Sequence, residues 1–273
     1  MDQEYLQLLL QDETLRNHMS ALLLGMIRII ALISVAPIFG PNVTMPIKAS
    51  IALALYMPLH PYMLTVTQGI HLESTGDFIT LLLIIGKEVM LGVLMGWLVS
   101  LFFYIALSAG TIVDNQRGAS MAQTTDILSG AEGSPLGAVL FMAVTVLFFV
   151  SGGFMRFMEL FYTSFSYWEP DEITPDLTSR ALADFSIYNL AWMMRQTVLI
   201  ASPFIIIALI CDVSLGLINR FAPQLNVFIL SMPIKSAVCS LLIIFYYHPF
   251  LEHSTGNLDY MSKMLYQMMQ LFR

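Results

Sequence analysis

The chain has 273 residues, of which 57% are hydrophobic and only 11% are charged, and its formal net charge is −7. This composition lies outside the range of soluble globular domains and indicates an integral membrane protein. No cluster of Lys or Arg offers a surface for nucleic acid, so nucleic-acid binding is not expected. The two cysteines lie inside apolar runs and predict neither a disulfide scaffold nor a metal site.

Apolar stretches follow one another along the sequence, and they are continuous rather than alternating, which favours membrane helices over a β-barrel. They cover roughly residues 20–39, 49–66, 78–113, 136–165, 187–218 and 225–251. We therefore predict an all-α integral membrane protein of about six apolar helical segments, broken by Pro and Gly. No room remains for a separate soluble domain, so residues 1–273 are predicted to form one helical membrane domain. The acidic start of the chain argues against a cleavable signal peptide.

The clearest predicted spans are Val89–Val113 and Gly133–Met155, because neither contains a charged residue. Each is long enough to cross a hydrocarbon layer about 30 Å thick. The stretch 49–66 is different, since Pro58 and Pro61 remove two amide donors from the backbone. These prolines predict a bend or a hairpin within that stretch.

Charges lie inside or beside the apolar stretches, and each costs about 2.5–3.5 kcal/mol at the centre of a span on insertion scales. They are Arg28, Lys48, Lys87, Glu88, Arg156, Glu159, Arg195, Asp212, Arg220 and Lys235. Some are explained as charges at segment ends or as neighbouring pairs, such as Lys87 with Glu88. Arg195, Pro203 and Asp212 together predict an interrupted helix over 187–218. We expect the remaining polar faces to be buried against other subunits.

A row of residues spaced four apart follows Glu88 along the third stretch. Its members are Glu88, Gly92, Gly96, Ser100, Tyr104 and Ser108. Small residues in such a row permit close approach of a second helix backbone. We predict specific helix packing at Gly92 and Gly96, with a chance match as the alternative.

The segment 114–135 between the two clearest spans is unusually long for a connection in a compact helical protein. Its glycines make it deformable, and its small and amide side chains suit a protein-lined cavity. We predict a functional loop, with an ordinary exposed loop as the alternative.

Motifs for catalysis, nucleotides and metals are missing. No P-loop occurs, "GASMA" only half matches the nucleophile motif of hydrolases, and the histidines lack zinc-site spacing. We therefore expect no enzymatic activity, no cofactor and no metal site. A secondary transporter stays open as the alternative function, with Arg28, Arg195 and Asp212 along its route.

Three sequence stretches resemble the export-apparatus T protein family of bacterial type III secretion systems, whose flagellar counterpart is the export-gate protein FliR. They are "LGLINRFAPQLNVFILSMPIK" (Leu215–Lys235), "VDNQRGASMA" (Val113–Ala122) and "RIIALISVAPIFG" with a following "PIK" (Arg28–Lys48). The resemblance runs over nearly the whole chain. The "DNQRG" loop and the "MPIK" ending are closer to the injectisome branch than to the flagellar one.

This resemblance implies a single-copy, non-enzymatic channel subunit in the bacterial inner membrane. It also implies a hetero-oligomer with the R and S membrane subunits and the U switch protein, through which unfolded secreted proteins leave the cytoplasm. In the family the assembled gate rises out of the membrane plane, towards the periplasm. By the same correspondence, the segment 114–135 matches the loop that plugs the resting pore.

Two sets of candidate residues follow, of which Gly92 and Gly96 come from the row of small residues and the others from the loop and the signature stretches. For the plug and its gating they are Gln116, Arg117, Gly118, Met121, Gly130 and Gly133. For assembly and packing they are Gly92, Gly96, Arg220, Pro223, Gln224, Asn226, Pro233 and Lys235.

Overall fold

A computed structural model describes residues 13–40, 43–67, 75–118, 134–170, 179–222, 224 and 226–271. Within these ranges the secondary structure is helical and contains no strand, which confirms the all-α prediction. The α-helices are α1 (Glu13–Val35), α2 (Met45–Tyr56), α3 (His60–Thr67), α4 (Thr75–Gln116), α5 (Pro135–Val150), α6 (Gly153–Tyr167), α7 (Ser179–Phe221) and α8 (Val227–Leu271).

The described helices provide several segments that are long and apolar enough to cross a membrane. They are Asn17–Val35, Met45–Thr67, Ile79–Gln116, Arg180–Phe221 and Ile229–Leu271. Helices α5 and α6 together form a further candidate span, bent by 69° at their junction. The chain is a multi-pass membrane protein.

The chain divides into two compact units. Unit 1 contains Met1–Ser100, Met155–Phe185 and Ser262–Arg273, and unit 2 contains Leu101–Phe154 and Ser186–Met261. The single membrane domain over residues 1–273 stays a prediction.

The core of unit 1 is built from one face of α1 and one face of α6. Ile29, Leu32 and Ile33 of α1 are almost fully buried, and so are Phe157 and Phe161 of α6. Their spacing of three or four residues places each set on a single helix face.

The core of unit 2 contains aromatic clusters among aliphatic side chains. Phe103 meets Phe102 and Phe148 edge to face, with ring centroids 5.2 and 5.3 Å apart. Phe204 of α7 meets Tyr246 of α8 in the same way at 5.4 Å. Edge-to-face pairs of this kind add to the free energy gained by burying the rings.

The predicted span Gly133–Met155 ends too late. Helix α5 stops at Val150, because Gly152 adopts the left-handed conformation with a φ of 75° and α6 starts directly after it. A glycine in this conformation is a common way to end a helix. The sequence "SGG" carries this signal, although the absence of charge in the surrounding stretch hides it.

The predictions from proline also need correction. Pro58 lies in a short 3-10 turn between α2 and α3, and Met45–Thr67 still forms one candidate span, so the hairpin alternative is wrong. Helix α7 continues through Pro203, so the predicted interruption of this stretch is wrong as well. The hydroxyl of Ser202 donates to the carbonyl of Leu199 at 2.8 Å, which is the acceptor that Pro203 leaves without its amide.

Candidate functional site

Asp114, in the last turn of α4, joins the two ends of the candidate plug segment. Its carboxylate forms an ion pair with Arg117 and accepts a hydrogen bond from the hydroxyl of Ser134. It also accepts the backbone amide of Leu136 at 3.0 Å. Ser134 in turn caps α5 by accepting the amide of Gly137 at 2.8 Å. One buried carboxylate therefore holds the residues on both sides of 119–133 next to each other.

The helices that lead into and out of this segment are also in close contact. A Cβ atom on Gly110 of α4 would lie 2.4 Å from the Cα of Gly137 in α5. No side chain fits between two backbones at that distance, so both positions require glycine. Sequence reasoning missed these glycines and the role of Asp114. The "SP" at Ser134–Pro135 was an available signal for the start of α5.

Some of the predicted gating residues lie within the described ranges, and the others lie outside them. Gln116 is exposed at the end of α4, and Arg117 follows in a turn in which its amide donates to the carbonyl of Val113 at 3.1 Å. Gly118 has a φ of 79°, and a Cβ atom added there would lie 3.1 Å from Cγ of Met232. The other predicted gating residues, Met121, Gly130 and Gly133, lie outside the described residues.

Gly92 and Gly96 lie where α4 crosses α1 within unit 1. A Cβ atom at Gly92 would be 2.4 Å from the carbonyl oxygen of Arg28, and one at Gly96 would be 2.9 Å from that of Leu32. Four residues further on, the hydroxyl of Ser100 donates to the carbonyl oxygen of Val35 at 3.2 Å. The row of small residues therefore packs against a helix of the same chain, and its role in assembly with other subunits stays a prediction.

The tip of the α7–α8 hairpin carries exposed polar side chains. Arg220, Gln224 and Asn226 are all exposed, whereas Pro223 lies outside the described residues. The side chain of Asn226 accepts the amide of Ile229 at 3.4 Å and so caps α8.

Pro233 and Lys235 lie within α8. Nζ of Lys235 lies 2.8 Å from a carboxylate oxygen of Asp212 on α7, and the two form an ion pair. The carboxylate of Asp212 is 47% exposed, so it retains room for a further hydrogen-bond donor.

The charges in unit 1 are satisfied differently. Arg28 of α1 is fully buried and donates two hydrogen bonds to the carboxylate of Glu88, at 2.7 and 2.8 Å. It also donates to the hydroxyl of Ser164 at 3.0 Å and to the carbonyl of Trp168 at 3.2 Å. Its guanidinium lies 3.9 Å from the centroid of the Phe165 ring. Every one of these partners belongs to the same unit.

Lys87 extends this buried network. Its ammonium lies 3.3 Å from Glu88 and donates to the backbone carbonyls of Glu169 and Pro170 at 2.7 and 3.1 Å. Two cations thus bind backbone carbonyls of Trp168, Glu169 and Pro170, which directly follow the negative end of the α6 dipole. The ion pair of Lys87 with Glu88 confirms the prediction that these neighbours partly neutralise each other. For Arg28, the expectation that other subunits cover the charge is wrong, because its described partners lie within the chain.

The three residues proposed for a transporter route have different surroundings. Arg28 is sealed in unit 1, whereas Arg195 is exposed in unit 2 and Asp212 is paired with Lys235. Within the described ranges, His, Cys, Asp and Glu side chains do not gather in any group of three or more that could hold a metal ion.

Comparison with known proteins shows the class of protein to which the chain belongs. The model of a protein family described as "Bacterial export proteins, family 1" matches residues 19–261. The Yop proteins translocation protein T of Yersinia pestis is 37% identical over 179 residues, which cover 66% of this chain and 68% of that protein. The surface presentation of antigens protein SpaR of Salmonella typhimurium is 30% identical over 177 residues, 64% of this chain and 65% of that protein.

The likeness extends to flagellar proteins. The flagellar biosynthetic protein FliR of Bacillus subtilis is 28% identical over 225 residues, which cover 82% of this chain and 85% of that protein. The helical fold with its candidate spans, together with these matches, defines a multi-pass protein of the bacterial inner membrane that serves protein export. The chain belongs to family 1 of the bacterial export proteins.

Proposed function

We propose that this chain is a channel subunit of a type III secretion export apparatus and forms part of the gated pore through which unfolded proteins leave the cytoplasm. The observation that carries the proposal is the family match over residues 19–261, since it includes all three stretches that carry the resemblance and at least part of every described α-helix. Identity is 37% to the Yop translocation protein T and 28% to FliR, which favours the injectisome branch. The role is structural and non-enzymatic.

The proposed partners are the R and S membrane subunits and the U switch protein, with secreted proteins as substrates in transit. The exposed apolar faces of α7 and α8 support this assignment. In the apolar window of α8 only 6% of the residues are buried, compared with 44% in that of α1. The assembled gate protrudes towards the periplasm in this proposal, so part of this apolar surface faces protein instead of lipid.

The segment 114–135 is proposed as the plug that closes the resting pore. The contacts of the Asp114 carboxylate with Arg117, Ser134 and Leu136 support this role, because a movable plug needs both ends of its segment held in place. Arg117 is neutralised by Asp114 at one end of this segment, so it adds no net charge there. Gln116, Gly118, Met121, Gly130 and Gly133 complete the proposed gating set.

The test combines a mass measurement with an ion-leak assay on the detergent-extracted complex after reconstitution. The complex should have the mass of a fixed hetero-oligomer, and deletion of Ala119–Ser129 should make it leak ions. A matched control carries Gly216→Ala in α7, where a Cβ atom meets nothing within 4 Å, and should stay closed. Unchanged leakage of the assembled deletion variant would reject the plug, and flux catalysed by the purified chain alone would reject the subunit assignment.

A further inference from the structure

Two histidines that are 42 residues apart in the sequence meet in unit 1. Nδ1 of His18 in α1 lies 3.0 Å from Nε2 of His60 at the start of α3. The ring centroids are 5.1 Å apart and the ring planes differ by 23°. Because the centroids are much further apart than the nitrogens, the two nitrogens lie between the rings, and the rings meet edge to edge.

Tyr56 fixes the orientation of the second ring. Its hydroxyl lies 2.7 Å from Nδ1 of His60. When Nδ1–H donates to this hydroxyl, Nε2 keeps its lone pair and directs it at His18. Tyr56 itself is only 2% exposed, and a Cβ atom on Gly25 would lie 2.5 Å from its ring, so the ring has little freedom.

We propose that Nδ1 of His18 and Nε2 of His60 bind a divalent transition-metal ion of the zinc class. Imidazole nitrogen is a favoured ligand of Zn²⁺, Cu²⁺ and Ni²⁺. Two nitrogens at about 2.0–2.1 Å from a tetrahedral Zn²⁺ are about 3.3 Å apart, so the observed pair has to open by only about 0.3 Å. A hydrogen bond from the other ring nitrogen, as between His60 and Tyr56, is the usual support of a metal-binding histidine.

The surroundings define the kind of site. His18 is exposed at the first turn of the candidate span Asn17–Val35, which leaves its ring free to adjust to an ion. Within the described ranges no third His, Cys, Asp or Glu completes the group, so water takes the remaining coordination positions. The bound ion joins α1 to α3 and stabilises unit 1 by an amount that grows with the logarithm of the free ion concentration above Kd. This site is independent of the proposed export function.

The experiment is a titration of the purified full chain with ZnCl2, followed by calorimetry, and with CoCl2, followed by visible absorption. The wild type should bind one ion per chain with a tetrahedral Co²⁺ spectrum and should unfold at a higher temperature with Zn²⁺. His18→Gln and His60→Gln should each raise the half-saturating metal concentration by about tenfold or more, and Tyr56→Phe by about tenfold. The control His248→Ala, at an exposed position of α8, should bind as the wild type does.

Equal binding by the wild type and His18→Gln would overturn the proposal, and so would a wild type that binds no ion. The contact would then be an imidazole hydrogen bond only. Circular dichroism without metal checks the fold of each variant. Because His18 is exposed, its replacement keeps the test valid even if His60→Gln fails to fold.

Discussion

Unit 1 and unit 2 differ in how they accommodate charged side chains inside apolar helices. Both carry charges inside apolar helices. In unit 1, Arg28 and Glu88 are fully buried and Lys87 is 6% exposed, and the partners described for them belong to the same unit. Unit 2 holds Asp212 and Lys235 in an ion pair whose carboxylate is 47% exposed, among exposed Leu, Ile and Val side chains. In the described part of unit 1 this buried cluster is therefore neutralised by the unit's own groups, whereas the α7–α8 hairpin of unit 2 has surface left for partners.

The difference shows that an intramembrane charge does not by itself mark a subunit interface. Arg28 and Asp212 look alike in the sequence, since each lies in an apolar window. What separates them is the exposed fraction of the side chain and the source of its partners. Substitutions at these two kinds of position should therefore differ strongly in their effect on the free energy of unfolding of the chain in mixed detergent micelles.

Removal of Arg28 should have the largest effect. Arg28→Met leaves Glu88 buried without its main partner, and we expect a loss of about 3–5 kcal/mol in the free energy of unfolding. The triple variant Arg28→Met, Lys87→Met and Glu88→Leu should recover much of this loss, since no charge of this cluster is then left buried without a partner. Equal stability of the single variant and the wild type would show that unit 1 does not depend on this network.

The contact between α1 and α4 comes next. Gly92→Ala brings a methyl group 2.4 Å from the carbonyl oxygen of Arg28, and we expect a loss of about 1–3 kcal/mol. The matched control is Gly86→Ala in the same helix, where nothing lies within 4 Å of the added carbon. That variant should be unchanged or up to about 1 kcal/mol more stable. Similar losses in the two variants would contradict the close packing at Gly92.

The ion pair of unit 2 should matter little to the chain alone. Lys235→Met should change the free energy of unfolding by no more than about 1 kcal/mol, because the partner carboxylate is half exposed. Its yield in the co-purified complex should fall, and the exchange Asp212→Lys with Lys235→Asp should restore part of it. A loss as large as that of Arg28→Met would place Asp212 in the same class as Glu88.

An exposed apolar side chain of α7 should have the smallest effect on the chain. Leu209 is 62% exposed, so Leu209→Gln should alter the free energy of unfolding by less than about 0.5 kcal/mol. Co-purification with the other membrane subunits, quantified by native mass spectrometry, should nevertheless decrease. Normal assembly of this variant would show that the interface lies on another face of the α7–α8 hairpin.

Much of the fold was readable from the sequence because long apolar runs have few alternatives to a membrane helix. The break between α5 and α6 was harder to see, since the apolar stretch around Ser151–Gly153 carries no charge and only the left-handed Gly152 ends the helix. Pro203 predicted a break that the helix does not have, because the hydroxyl of Ser202 replaces the missing amide as a donor to Leu199.

The candidate site was predictable only in part. The signature stretches located the segment 114–135 and the hairpin tip. The hydrogen bond from Ser134 to Asp114, however, depends on the approach of α4 to α5. Likewise, Lys87 and Glu88 are neighbours in the sequence, whereas Arg28 joins them over a separation of 60 residues. Contacts at such separations follow from helix packing, which no local pattern in one sequence specifies.

The claim that other subunits cover unit 2 is tested most directly with a nitroxide label in place of Ile244, which is 75% exposed on α8. The background is Cys211→Ser with Cys239→Ala, and the measured quantity is the collision rate with oxygen dissolved in the lipid. Our account predicts a high rate in the isolated chain and a strongly reduced rate in the assembled export complex. An equally high rate in both would contradict it, because that face of α8 would then meet lipid in the working apparatus.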